Sequence, residues 1–148
     1  MRYVEAPEDY DGSVPSVFLA GGITGCPDWQ AVAAQVLTDH AVVVLNPRRA
    51  NFPIDDPSSA AVQIGWEYRH LRKANLILFW FPDSGDVVQP IALFELGAHL
   101  GGSIAVGADP GYVRRSDVVY QLALARADLI VHGSLGDTVQ AAIRAITG

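Results

Sequence analysis

The sequence predicts a single α/β domain: a five-stranded parallel sheet with helices on both faces, a three-layer sandwich. Three observations carry this reading. Apolar runs of strand length alternate with amphipathic stretches of helix length along the chain. The run Leu76 to Phe81 is apolar at every position, as a strand buried on both faces requires. The connections are short and rich in Gly, Pro, Asp and Ser. A length of 148 residues, with 50% hydrophobic and 18% charged side chains, suits one domain with a real core. We divide the chain into an N-terminal arm over residues 1–14 and a domain over residues 15–148.

Taken in order, the arm reads as extended or loosely packed. Val17 to Ala20 is a short first strand that runs into Gly21-Gly22-Ile23-Thr24-Gly25, a turn whose glycines let a ligand approach the backbone. No Lys-Ser/Thr follows, so this is not a Walker loop. A helix starts near Pro27-Asp28 and runs to about Asp39. Ala41 to Leu45 is the second strand and ends in Asn46-Pro47-Arg48-Arg49, where two arginines can clamp an anion, stack on a base or form surface ion pairs. After a Pro/Asp/Ser loop over residues 50–59, Ser58 or Ser59 caps a helix to about Ala74. On it Gln63, Trp66, Glu67 and His70 share one face, an odd stripe for a core and equally suited to a subunit interface.

Leu76 to Phe81 is the third strand, Pro82 to Asp86 a polar loop, and a helix begins at about Pro90 and ends by Gly101-Gly102. Glu95 sits inside that helix between Phe94 and Leu96, a carboxylate among apolar neighbours after the carboxyl end of a buried strand. Ser103 to Val106 is the fourth strand, followed by a turn-rich loop and a helix from Ser116 or Asp117 to about Arg126. Leu129 to Val131 is the fifth strand, and Ser134 or Asp137 caps a last helix to Ile146. Asp109, Tyr112, Arg114 and Asp117 form either a loop reaching a neighbour's site or a capped helix start with local ion pairs.

A net charge of −6 argues against a nucleic-acid or anionic-membrane surface. The lone cysteine, Cys26, excludes an intrachain disulfide and a Cys-based metal cluster, and His70 and His99 lack partners at metal-ligand spacing. The acidic first residues contain no apolar block, so no signal peptide is expected. No apolar run nears the roughly 20 residues of a membrane span. We expect a cytoplasmic protein, and its apolar surplus suggests a homo-oligomer.

Six segments resemble the nucleoside 2-deoxyribosyltransferase-like proteins: Phe18-Leu-Ala-Gly-Gly-Ile23; Asp28-Trp29-Gln30; Leu45-Asn-Pro-Arg48; Gln63-x-x-Trp66-Glu67; Phe79-Trp-Phe-Pro82; and Pro90-Ile-x-Leu-x-Glu95-Leu-Gly97. The resemblance spans roughly residues 16–118, with the motifs in the expected order. It implies a flavodoxin-like or Rossmann-like fold and an enzyme that cleaves the N-glycosidic bond of a deoxynucleoside. A nucleobase or water then receives the sugar. The resemblance assigns the nucleophile to Glu95, through a covalent glutamyl-sugar ester and two inversions. It implies no cofactor and no metal, and sites near a subunit interface. At Asn75, many members carry an Asp that protonates the base; Asp83, Glu67 or a substrate-bound water are the other candidates for that acid. Substrate contacts fall on Phe18, Gly21, Gly22, Asp28, Asn46, Arg48, Trp66, Glu67, Phe79, Trp80 and Gln89. Gln89, Pro90 and Ile91 replace the Ser and glycines that receive a 5′-phosphate in nucleotide-cleaving relatives, which favours a free nucleoside with its 5′-hydroxyl near Gln89. The alternatives are a nucleoside 5′-monophosphate N-glycosidase and a non-catalytic nucleoside or nucleotide binder.

Overall fold

The computed structural model describes residues 2–50 and 58–148. Among them, six parallel strands form one sheet in the order β1-β3-β2-β4-β5-β6. These are β1 (Arg2–Glu5), β2 (Ser16–Gly21), β3 (Val43–Asn46), β4 (Leu76–Phe81), β5 (Ile104–Ala108) and β6 (Val131–His132). Five helices connect them: α1 (Trp29–Val36), α2 (Ser58–Lys73), α3 (Pro90–Ala98), α4 (Arg115–Ala125) and α5 (Leu135–Thr147). The fold is α/β and consistent with the flavodoxin-like expectation, with one strand more than the five expected. The extra strand comes from the stretch read as an arm: Arg2 to Glu5 pairs in register with Val43 to Asn46. The remaining five strands keep the order 2-1-3-4-5 of a doubly wound sheet.

Alternation along the strands sorts the side chains into two layers. Phe18 and Ala20 on β2, Ile77, Phe79 and Phe81 on β4, and Val106 on β5 pack with Trp66, Ala92, Leu96, Val118 and Leu122, from α2, α3 and α4. Val17, Leu19, Leu78 and Trp80 pack on the opposite face with Trp29, Ala33, Val139 and Ile143, from α1 and α5. Gly107 makes the second layer close: a Cβ there would lie 1.9 Å from Thr138 Oγ1 and 2.8 Å from the Trp80 ring.

Local signals set several element ends. Asp28 caps α1 by accepting from the Ala31 N–H at 3.2 Å. A short 3₁₀ turn, Leu37–Asp39, completes that helix to the expected end. Ser134, rather than Asp137, caps α5, its hydroxyl accepting from Asp137 N–H. Helix α2 starts at Ser58, so its cap position and most of the loop expected over 50–59 lie outside the described residues. The topology also fixes where a ligand can sit. The chain leaves β2 towards one edge and β4 towards the other, so a crevice opens between the loops at their carboxyl ends.

Candidate active site

A cleft of about 720 Å³ lies at that switch point. Gly21 to Thr24 after β2, Pro47 and Arg49 after β3, Gln63, Ile64 and Glu67 on α2, and residues 87, 89–92 and 95 around the start of α3 line it. The volume is that of a small-molecule site.

Its chemistry centres on two carboxylates. Glu95 and Glu67 come from different helices, yet both line the cleft because α2 and α3 pack on the same face of the sheet. Burial pushes Glu95 up from 4.5 to about 8, and the negative charge of Glu67 adds to the rise. Burial likewise pushes Glu67 up to about 7, while a hydrogen bond from Gln63 pulls it back down. Two acids in one desolvated site resist ionising together, so near neutral pH the pair holds about one proton between them. An ionised carboxylate beside a protonated one is the pairing that nucleophilic attack and leaving-group protonation need.

Gln89 precedes α3 in the left-handed region, at φ 58° and ψ 57°, a conformation uncommon outside glycine. Its amide nitrogen holds it there, donating to Pro82 O at 2.8 Å and to Ser84 Oγ at 2.9 Å. Both amide hydrogens are thereby used, and the buried Gln89 Oε1 has no partner. Gly22 is the other half of this arrangement: a Cβ there would fall 2.6 Å from Gln89 Oε1 and 2.4 Å from Cys26 Sγ. Its carbonyl accepts from Trp29 Nε1 at 3.0 Å and Gln30 Nε2 at 3.3 Å, which ties the glycine turn to α1.

Of the residues expected at the site, the cleft brings together Gly21, Gly22, Glu67, Gln89 and Glu95. Phe18, Trp66 and Phe79 are wholly buried in the cluster that also contains Ala92, a cleft residue; they form core beside the site rather than a stacking surface. Trp66 is further engaged by its stacked His70 ring and by donating to Glu8 O at 2.6 Å. Trp80 packs with α1 and α5, across the sheet from α2 and α3. Arg48 braces the loop instead of facing a ligand, donating to Pro27 O, Cys26 O and Gln30 Oε1 at 2.7, 3.0 and 3.1 Å. Asn46 accepts from Arg48 N–H and donates to the Tyr3 hydroxyl, and Asp28 caps α1.

Asp83 accepts from Gly85 N–H, lies close to Gly111, and is not part of the cleft wall. Asn75 precedes β4 at the amino edge of the sheet and accepts from Ser16 N–H at 3.0 Å. A six-residue strand separates it from the carboxyl edge, about 20 Å. Cluster residues of the loop after β5 serve local structure. Tyr112 donates to Val88 O, and Arg114 pairs with Asp117.

Of the two arginines read after the second strand as an anion clamp, Arg49 and not Arg48 lines the wall, and Gln63, read on the Glu67 face of its helix but not as a substrate contact, stands one helical turn before Glu67. The spacing of Gln63 to Glu67 was the available signal. Gln63 Nε2 donates to Pro47 O at 2.7 Å, and its buried Oε1 has no partner. Among the described residues, no group of three or more His, Cys, Asp or Glu side chains is placed to hold a metal, and no helix is long and apolar enough to cross a membrane.

No curated protein matches the chain. The family model described as nucleoside 2-deoxyribosyltransferase like matches residues 14–112, which takes in β2 through β5 and every cleft-lining residue. With the doubly wound sheet and the cleft at its switch point, that match over well more than half of the sequence places the chain in the nucleoside 2-deoxyribosyltransferase-like family.

Proposed function

We propose that the protein cleaves the N-glycosidic bond of a nucleoside and passes the sugar, through an ester on Glu95, to another nucleobase or to water. The observation that carries this is the Glu67–Glu95 pair facing one cleft at the carboxyl edge of the sheet. The Glu95 carboxylate attacks the anomeric carbon as the bond to the base nitrogen breaks. Its charge stabilises the oxocarbenium-like transition state and its oxygen traps the sugar. The proton the pair shares rests mainly on Glu95, so the reactive form is the minor one that carries it on Glu67; from there it passes to the departing base, which leaves neutral. In the second step the acceptor base nitrogen, or water, attacks the same carbon. It surrenders a proton to Glu67, and the ester to Glu95 opens.

Gln89 supports a free nucleoside as substrate. Its amide hydrogens are taken by Pro82 O and Ser84 Oγ, so it offers a phosphate no donor. The 5′-monophosphate reading draws on Arg49, which also lines the cleft. The non-catalytic reading rested on Asn75 in place of an acid; Glu67, which lines the cleft with Glu95, supports an acid from another position. The rim supports assembly of copies around the site: Ile64, Ile91 and Phe94 are 65%, 63% and 75% exposed. A single-subunit mass by light scattering would remove the oligomer.

The test is incubation with deoxynucleosides, with and without an acceptor base, following free and exchanged base by chromatography. We expect base release or exchange, abolished in Glu95→Ala. Turnover of the monophosphate alone transfers the reading to the nucleotide N-glycosidase. Binding without turnover of any nucleoside or nucleotide sinks the enzyme.

A further inference from the structure

We infer that residues 5–10 are a strap that positions the proton donor: bonded to α2 on either side of Glu67 and to the loop after β3, they hold Glu67 in the cleft beside Glu95. The inference rests on the proposed reaction, in which the proton reaches the departing base from Glu67.

The segment leaves β1 and crosses to α2. At the sheet edge Ala6 N–H donates to Asn46 O at 3.0 Å, and Glu5 Oε2 accepts from Ala50 N–H at 3.1 Å, next to the cleft residue Arg49. On α2, Trp66 Nε1 donates to Glu8 O at 2.6 Å, and Lys73 Nζ donates to Tyr10 O at 2.7 Å. Between them Tyr10 N–H donates to His70 Nε2 at 3.0 Å. Tyr10 is buried in the same cluster as Trp66, Ala92 and Leu96, so the strap is packed as well as bonded.

Helix α2 depends on these bonds. Of its sixteen residues only Ser59, Trp66, His70 and Leu71 are buried, and three of the four fall between positions 66 and 71, around Glu67. Trp66 and His70 are wholly buried, and their polar atoms find partners on the strap. Trp66 O only accepts, so His70 Nδ1 carries the ring hydrogen and Nε2 is the lone pair that Tyr10 N–H meets. Without the strap those buried atoms lose their partners, and the turn that carries Glu67 is left to shift and admit water. Among the described residues, Glu95 and Arg49 are the other charged side chains lining the cleft, and Gln63 hydrogen-bonds Glu67 from its own helix. The causes that shift the two carboxyls are burial, Gln63 and the pair itself, with no charge from the strap, so slack in the strap acts through burial.

The test is the double variant Glu5→Ala/Lys73→Met, which removes both side-chain ties. Its control is Glu5→Gln/Lys73→Arg, which keeps an acceptor and a donor in their places. Carbon-13 carboxyl NMR follows the titration of Glu67 and Glu95 without substrate, and turnover is measured on the common 2′-deoxynucleosides. With water admitted to Glu67, the lower of the pair's two titration steps should fall by about one unit, a fraction of what full burial imposes. Each unit makes the form protonated on Glu67 about tenfold rarer, so kcat should fall roughly tenfold with KM little changed. The control pair should keep the parent's values. In a folded double variant an unchanged titration or an unchanged kcat overturns the inference, and so does an equal change in the control pair. Where the double variant does not fold, Lys73→Met alone is read in the same way. The arms separate the two readings. With no turnover by the parent, glycosyl transfer falls while the titration still decides the strap; turnover with an unmoved titration removes the strap and leaves glycosyl transfer standing.

Discussion

Replacing Glu95 by glutamine should stabilise the protein, and increasingly so as pH rises. Unfolded, the Glu95 carboxyl ionises near 4.5; folded, burial and then the Glu67 charge hold it up to about 8. Between those values the folded chain keeps a proton that the unfolded chain releases. The unfolded state then binds fewer protons, so stability falls with rising pH across this window. Below 4.5 both states are protonated and the carboxyl costs nothing relative to its neutral form. At pH 7 the gap is about 2.5 pH units at about 1.4 kcal/mol each, about 3.5 kcal/mol. Partial solvent contact reduces that to about 2 kcal/mol. For a chain of this length that is a rise of roughly 4–8 °C in Tm at neutral pH, shrinking towards zero near pH 4.5. Thermal and urea melts of both proteins from pH 5 to pH 8.5 measure it. A variant equal to or less stable than the parent at pH 8, or a difference that does not change with pH, would refute the buried-carboxylate account. The same substitution should abolish turnover, as expected where a site is kept at the expense of stability.

Three further outcomes follow from the packing. Gly107→Ala sets a methyl 1.9 Å from Thr138 Oγ1 and 2.8 Å from the Trp80 ring, so melts should show a loss of about 1–3 kcal/mol or more; an unchanged Tm contradicts the packing of α5 on β5. His70 accepts the Tyr10 N–H at Nε2 and bonds Trp66 O through Nδ1, and burial holds its pKa below 6.5. Its contribution is therefore present above 6.5 and lost as pH falls through the lowered value; comparing His70→Asn with the parent between pH 7.5 and 5 should show their stabilities converging, and a constant gap contradicts it. Arg48→Ala removes three bonds that brace the loop before α1, so amide exchange should quicken over Gly22 to Cys26, and unaltered exchange there removes the bracing role.

Strand β4 and helix α3 were legible in the sequence because each declares itself locally. Leu76 to Phe81 is apolar at every position, and Pro90 marks a first turn. Strand β1 was not, because Arg-Tyr-Val-Glu has no strand signal of its own; Arg2 and Tyr3 are exposed, and only the edge of β3 makes the segment extended. Trp80 shows a different limit. Period two puts Phe79 and Trp80 on opposite faces, but which face receives α2 and α3 is settled by the handedness of the crossovers.

The acid shows a third limit. Glu67 and Glu95 are 28 positions apart in sequence, and no local pattern predicts that they share a cleft. Strand direction, by contrast, was available for Asn75. A residue immediately before a parallel strand lies at the amino edge, whereas a doubly wound sheet binds its ligand at the carboxyl edge. Asn75 could therefore have been set aside on direction alone. Glu67 lies past the midpoint of α2, so its place in the cleft could not be read from its position along the helix; it follows from the packing of α2 beside α3 on one face of the sheet. The packing of α2 against α3 decides which carboxylate can join Glu95 in the cleft, and Glu67 is the one that lines it.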